Sequence, residues 1–122
     1  MHCTTLAAIG IAALVTIASA APAFAEYGAI AYGENSGRRG VAWNYDTQRG
    51  ADEAALKDCG TGCKVVVRFG PKMCFAIATP DSGKGIGAAS RPSVDAAKTA
   101  ALADCRKHTE HACAVRDAKC NR

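Results

Sequence analysis

The sequence has few aromatic residues and no apolar run long enough for a typical membrane span. Aromatic residues make up 6% of the 122 residues, with 1 Trp, 3 Tyr and 3 Phe. Because aromatic rings bury the most surface per residue, a small core built mainly from alanine gains only modest stability. The longest uncharged apolar run, Leu6 to Ala21, has about 16 residues, whereas a spanning helix needs about 20.

Charge of neither sign dominates the chain. Lys and Arg number 15 against 11 Asp and Glu, a formal net charge of +4, and no block of like charge occurs. Nucleic-acid-binding domains usually carry clustered basic residues and a higher pI. We therefore expect no nucleic-acid partner.

The N-terminus is typical of an export signal. The apolar run ends at Pro22 and is followed by Ala23-Phe24-Ala25, a cleavage site of the A-x-A type. We predict a signal peptide over residues 1–25, cleavage between Ala25 and Glu26, and a secreted or periplasmic product without a stable membrane span. The segment before the run lacks Lys and Arg, so an uncleaved anchor remains the alternative.

Six of the seven cysteines lie after the predicted cleavage site. They are Cys59, Cys63, Cys74, Cys105, Cys113 and Cys120. An even number of cysteines in a small exported chain indicates a disulfide framework. We therefore interpret residues 26–122 as a single disulfide-rich domain.

The predicted mature chain repeats itself after about 46 or 47 residues. Ala29-Ile30-Ala31 recurs as Ala76-Ile77-Ala78, and the helical pattern of residues 51–59 recurs over 97–105 with the same Leu, Asp and Cys. The repeat halves are placed at about 27–74 and 75–120.

Each half indicates a strand, a second strand, a helix and a third strand. Strands are predicted at Tyr27–Gly33, Gly40–Asp46, Lys64–Phe69, Met73–Thr79, Lys84–Ala89 and Ala112–Lys119. Thr47 and Ser93 are candidate N-caps of helices that end near Cys59 and Lys107. Two ββαβ repeats predict an α+β domain whose antiparallel sheet is covered by two helices.

The repeat also restricts the disulfide pairing. Six cysteines allow 15 pairings, and fewer than half of these respect a two-fold relation between the halves. The preferred pairs are Cys59–Cys63 and Cys105–Cys113 within the halves, and Cys74–Cys120 between them. The first two would attach a helix end to the following strand, and the third would close the longest loop.

Several of these segments resemble a known family. The Tyr27–Tyr32 opening, the Ala54–Cys59 helix end and the Cys63–Val67 strand are similar to the bacterial exported family called Domain of Unknown Function 4189. The resemblance covers Glu26 to Arg122 and implies a small exported protein of proteobacterial or actinobacterial type. The family has no established catalytic residues, so none is carried over. The chain departs at Ala114–Ala118, which is more polar than the matching strand.

Three motifs are candidates for catalysis or for binding a metal ion or phosphate. The His108-Thr109-Glu110-His111 cluster beside Cys113 could bind zinc or transfer protons, but it lacks the H-E-x-x-H spacing of a helical zinc site. Cys59 lies at a helix C-terminus, where the helix dipole disfavours a reactive thiolate. Gly83-x-Gly85-x-Gly87 precedes a strand, whereas phosphate loops precede a helix. No catalytic, cofactor or metal-binding residue is assigned.

The rings of Trp43, Tyr45, Tyr27 and Tyr32 form a candidate contact patch for a sugar or protein. Val41, Trp43 and Tyr45 alternate along one strand and are expected on one face. In so aromatic-poor a domain, the preferred interpretation is that these rings contribute to the core.

These observations favour a non-catalytic exported binding module. Its partner would be an unknown protein or envelope component, from the cell itself, a host or a competitor. The alternatives are a small extracytoplasmic hydrolase that uses His108 and His111, and an inhibitor of a secreted enzyme.

Overall fold

The computed structural model describes residues 10–15, 25–81 and 84–122. Residues 1–9 and 16–24, which hold most of the predicted signal peptide and of its cleavage motif, lie outside the described residues. Residues 10–15 form neither helix nor strand. Within the described ranges, no helix has the length and apolar character needed to cross a membrane.

The first half contains strands β1 (Tyr27–Tyr32), β2 (Arg39–Tyr45) and β3 (Lys64–Phe69), and helix α1 (Gln48–Cys59). Strand β1 is central and pairs antiparallel with β2 on one side and β3 on the other. Helix α1 begins after Thr47, whose hydroxyl accepts a 2.9 Å hydrogen bond from the backbone N–H of Gly50. The helix buries small side chains against the sheet, at Ala51, Ala55 and Cys59.

The second half has the same order of elements. It contains β4 (Cys74–Pro80), β5 (Gly87–Arg91), α2 (Val94–Lys107) and β6 (Cys113–Cys120). Strand β4 is central between β5 and β6, and Ser93 caps α2 through a 3.2 Å bond from the N–H of Ala96. The predicted α+β class, with two strand–strand–helix–strand units and two helices, is confirmed.

The strands form two three-stranded sheets, whereas the sequence suggested a single sheet. The sheets face each other across a shared core of Ile30, Phe69, Phe75 and Ile77. Helices α1 and α2 pack on the outer faces. The reason is that β1 and β4 are buried almost throughout. A strand that is buried on both faces needs a layer on each side. In each half, a helix covers the outer face of the central strand and the opposite sheet covers its inner face.

Asn121 connects the two halves from within the structure. This side chain is 5% exposed, and its Nδ2 donates to the carbonyls of Glu26 at 3.1 Å and Gly70 at 2.8 Å. Its Oδ1 accepts the backbone N–H of Asn44 at 2.8 Å. Since buried polar groups are costly when unpaired, this one side chain fixes the C-terminus against three segments of the first half.

A bulge in β2 changes the expected direction of one ring. Asn44 has a φ of 61°, and the register shifts so that Tyr45 lies opposite Tyr27. Val41 and Trp43 contact the core between the sheets, whereas Tyr45 lies beside Gly50 at the start of α1. The expectation that Val41, Trp43 and Tyr45 share one face is therefore wrong.

The described residues contain three disulfides, Cys59–Cys63, Cys105–Cys113 and Cys74–Cys120. These are the pairs preferred from the sequence. The role expected of the third was wrong, because Cys74 begins β4 and lies directly opposite Cys120 of β6. The bond joins two strands of one sheet and does not link the halves. Its sequence separation of 46 equals the repeat shift, which is why the two cysteines looked equivalent.

Candidate binding groove

The two sheets have four edge strands, β2 and β3 in the first and β5 and β6 in the second. An edge strand presents backbone N–H and C=O groups that pair readily with another extended chain. How each edge is covered therefore indicates where a partner strand could bind.

Strands β2 and β5 are closed by the helices. The Asp58 carboxylate accepts the backbone N–H of Val41 at 3.1 Å, and the Asp104 carboxylate accepts that of Ala88 at 3.1 Å. Glycine makes this approach possible on both edges: a Cβ on Gly40 or Gly87 would lie 2.1 Å from a helix carbonyl oxygen. Both edges are thus occupied by a helix and its aspartate.

Strand β6 is protected by its charged side chains. It carries Arg116, Asp117 and Lys119, and charged residues on an edge disfavour pairing with another chain. Arg116 Nε donates to Thr79 Oγ1 at 2.9 Å, and Lys119 Nζ lies 5.5 Å from the ring centroid of Trp43. These two cationic side chains therefore contact neighbouring residues of the domain.

Strand β3 has an apolar run of three valines, Val65-Val66-Val67, between Lys64 and Arg68, which are paired with Glu34 and Asp52. In the part of the chain that the structure describes, its outer side pairs with no strand and receives no backbone hydrogen bond from a turn or loop. The register with β1 shifts between Ile30 and Ala31, so Val66 has no directly opposite residue. Val66 is 40% exposed, which is high for a valine.

Two adjacent pockets lie beside β3, and we call them together the groove, with one pocket at each end. One end encloses about 430 Å³ and the other about 540 Å³, and both are lined by Val66, Val67, Ala88 and Asp104. The first end also includes Tyr32, Glu34, Lys84, Ile86 and His108. The second is completed by Arg68, by β5 and by the α2 residues Ala100, Ala103 and Lys107. The far wall of the groove is thus formed by β5 and α2.

The second end of the groove is positively charged. Arg68, Arg91 and Lys107 line it together with one carboxylate, that of Asp104. Arg68 is paired with Asp52 at 2.9 Å. Among the described residues, no ion pair involves Arg91 or Lys107, and Asp104 is already hydrogen-bonded to Ala88.

The candidate catalytic residues His108, His111 and Cys113 do not all line the groove. His108 lines the first end of the groove, with its Nε2 3.4 Å from Asp104 Oδ1. His111 is exposed and does not line that end, and Cys113 is in a disulfide. No group of three or more His, Cys, Asp or Glu side chains suited to a metal ion occurs among the described residues. Of the glycine motif, Gly83 lies outside those residues.

The four rings of the candidate patch differ in exposure and surroundings. Trp43 packs between the sheets with its centroid 6.0 Å from that of Phe75, and it lines one cavity together with Tyr45. Tyr27 packs on the α1 side and lies opposite Tyr45 on the neighbouring strand. Tyr45 is 41% exposed, whereas Tyr32 is 8% exposed and lines the first end of the groove. A contact patch of all four rings stays a prediction.

Sequence reasoning missed the open edge and the role of the aspartates. The signal for the aspartates was present, since Asp58 and Asp104 each directly precede a helix cysteine. The signal for the edge was the contrast between Val65-Val66-Val67 in β3 and the polar final strand.

The fold and its three disulfides define a small disulfide-stabilised α+β domain. The chain belongs to the family described as domain of unknown function (DUF4189), whose model matches residues 27–120. The resemblance seen in the sequence is thereby confirmed.

Two mycobacterial relatives are similar to part of the chain. Protein Rv1269c of Mycobacterium tuberculosis strain H37Rv is 45% identical over 56 residues, 45% of this chain and 43% of that protein. Uncharacterized protein Rv1813c of the same strain is 47% identical over 58 residues, 47% of this chain and 38% of that protein. The chain thus aligns with less than half the length of these curated relatives. No solved structure matches the chain.

Proposed function

We propose that the chain is an exported binding module that holds an extended segment of its partner in the groove along β3. The observation that carries this proposal is the open apolar edge of β3, with Val66 40% exposed, beside two other edges closed by Asp58 and Asp104. Sheet edges that bind peptides use main-chain hydrogen bonds for affinity and neighbouring side-chain pockets for specificity.

Export is the second part of the proposal. Three disulfides support an oxidising, extracytoplasmic location, because cytosolic thiols are normally kept reduced. The A-x-A motif ending at Ala25 supplies the route. The partner is then a protein or envelope component that meets the domain outside the cytoplasm.

The hydrolase alternative gains no support from the groove. It required His108 and His111 together, whereas His108 alone lines the groove, paired with Asp104. Among the described residues that line the first end of the groove, where His108 lies, none is Ser, Thr or Cys; Ser90 lines the second end, away from His108. An inhibitor of a secreted enzyme would still use the β3 edge and belongs to the proposed class.

The experiment is a selection of peptides from a displayed random library on the oxidised full chain. Selected peptides should bind Val66→Thr, which keeps the β-branched shape, with unchanged affinity. They should bind Val66→Glu at least about tenfold more weakly, a loss of ~1.4 kcal/mol, because a charge on the edge disfavours pairing. Equal melting temperatures of the two variants would show that folding is intact. Selected peptides that bind Val66→Glu and the unmodified chain equally would overturn the proposal.

A further inference from the structure

We infer that the segment held along β3 is acidic and joins the first sheet as an additional strand. This inference rests on the proposed function and adds the chemistry of the partner.

The backbone of β3 sets the length and conformation of the segment. Strand β3 has 6 residues, so an added strand that pairs along all of it spans roughly 20 Å at about 3.3 Å per residue. The outer side of β3 offers a row of backbone groups with no strand partner among the described residues. An extended peptide satisfies such a row by main-chain hydrogen bonds alone.

The far wall of the groove determines which side chains fit. Successive residues of a strand point to opposite faces, so every second side chain of the added strand faces the wall of β5 and α2. That wall carries Arg91 and Lys107 beside the small side chains of Ala100 and Ala103. Carboxylates at alternate positions would meet the two cations, and the alanines leave space for them.

The charge balance favours an acidic partner over a basic one. The carboxylate of Asp104 is engaged by the Ala88 N–H and lies 3.4 Å from His108, and Asp52 is engaged by Arg68. Among the described residues Arg91 and Lys107 are in no ion pair, and the Arg91 guanidinium donates only to the Ser90 carbonyl, at 2.7 Å. Complementary charge raises the association rate and rejects like-charged competitors.

A second copy of this chain is a poorer occupant of the same edge. Antiparallel pairing of β3 with itself would place the lysine and arginine side chains of both copies around one groove. Like charges brought together across an interface cost affinity. Self-pairing is therefore an outcome of the test, as is binding of a nucleic acid, the other common polyanion.

The test uses fluorescence polarisation with labelled eight-residue peptides and the oxidised full chain. A peptide that alternates Val and Glu should bind. The peptide that alternates Val and Gln should bind about tenfold more weakly. The peptide that alternates Val and Lys should not displace the Val and Glu peptide. Arg91→Glu combined with Lys107→Glu should lower the affinity for the Val and Glu peptide by about tenfold or more. Arg106→Glu should leave its affinity unchanged, because Arg106 is exposed on the same helix turn but outside the groove lining.

Strand addition is tested on the peptide, so that the protein fold is untouched. Two Val and Glu peptides are N-methylated at alternate amides, one on the odd and one on the even positions. Because only alternate amides of a strand face its neighbour, one isomer should lose binding and the other should retain it. Equal binding of both isomers would overturn strand addition.

The remaining outcomes separate this inference from the proposed function. Binding that is lost in Val66→Glu but is equal for the Glu, Gln and Lys peptides keeps the β3 groove and overturns the acidic partner. Binding of the Glu peptide that is unaffected by Val66→Glu overturns the proposed site and this inference together. Tighter binding of a single-stranded oligonucleotide than of the Glu peptide, or a concentration-dependent dimer that Val66→Glu abolishes, assigns the edge to another occupant and also overturns the inference.

Discussion

The Asp104 carboxylate accepts the backbone N–H of Ala88 at 3.1 Å, so the C-terminal part of α2 closes the outer edge of β5. Asp58 does the same for Val41 on β2. In the described structure no carboxylate accepts a backbone N–H of β3, whose one hydrogen bond between a side chain and its backbone is that from Asn121 to the Phe69 carbonyl at its end. This difference between the edges is the physical basis of the proposed function.

Removing the carboxylate of Asp104 should destabilise the domain. Asp104→Ala leaves the Ala88 N–H without its acceptor. A hydrogen bond to a charged group contributes about 1.5–3 kcal/mol, and the lower end of this range applies because the Asp104 side chain is 40% exposed. For a domain of this size the melting temperature should fall by roughly 5–10 °C. Glu110→Ala, in an exposed loop, is the control and should have little effect. Equal melting temperatures of the two variants would contradict the role given to Asp104.

Gly87 should tolerate no side chain. Its Cβ would lie 2.1 Å from the Ala101 oxygen and 2.3 Å from the Cys105 nitrogen, both backbone atoms that cannot rotate away. Overpacking of this kind costs about 1–3 kcal/mol or more, so Gly87→Ala should shift the urea midpoint strongly downward. Gly70→Ala is the matched control, because a Cβ there meets nothing within 4 Å. Similar midpoints for both variants would mean that α2 does not approach β5 this closely.

Asn121 should be the most sensitive polar side chain among the described residues. Asn121→Ala would leave the Glu26 and Gly70 carbonyls and the Asn44 N–H unpaired in a largely buried site. Each unpaired buried group costs about 1–3 kcal/mol, so chemical denaturation should show a loss of at least about 2 kcal/mol. The neighbouring Arg122→Ala removes a side chain that is 77% exposed and should cost less than about 1 kcal/mol. The reverse ranking would contradict the connecting role of Asn121.

The Cys74–Cys120 disulfide should contribute most to stability. The three bonds span separations of 4, 8 and 46 residues, for which the chain-entropy relation gives about 2, 2.6 and 4 kcal/mol. Replacing each pair by alanine and measuring the melting temperatures should give the largest loss for Cys74 with Cys120. Equal losses for the three pairs would argue that loop length does not set their contributions.

The local elements could be predicted because their signals are local. Thr47 and Ser93 have cap geometry, and β3 has the predicted bounds Lys64–Phe69. Strand β5 begins at Gly87, three residues later than the predicted Lys84. Gly85 has a φ of 154°, and β5 contacts α2 from Gly87 onward. The start of β5 therefore depends on a tertiary contact, which the local sequence pattern does not show.

The relation between the halves could not be predicted from local patterns. Two sheets form because neither β1 nor β4 has a polar face, so both faces of each strand must be covered. The spacing of the predicted repeat does not indicate what covers the face that lies away from the helix. Asn121 follows the last cysteine as an ordinary polar residue in the sequence, and the three segments to which its side chain is hydrogen-bonded meet only in the folded chain. The edge at Val66 likewise depends on which strands become edges.

Amide hydrogen exchange followed by NMR, on the oxidised chain with and without the Val and Glu peptide, tests the central claim most directly. If a partner strand pairs with the open edge, alternate amides of β3 should become protected by about tenfold or more when the peptide is bound. Amides of β2 and β5, whose edges are closed by Asp58 and Asp104, should exchange at unchanged rates. Unchanged exchange throughout β3 at saturating peptide, or new protection in β2 or β5 instead, would contradict the account.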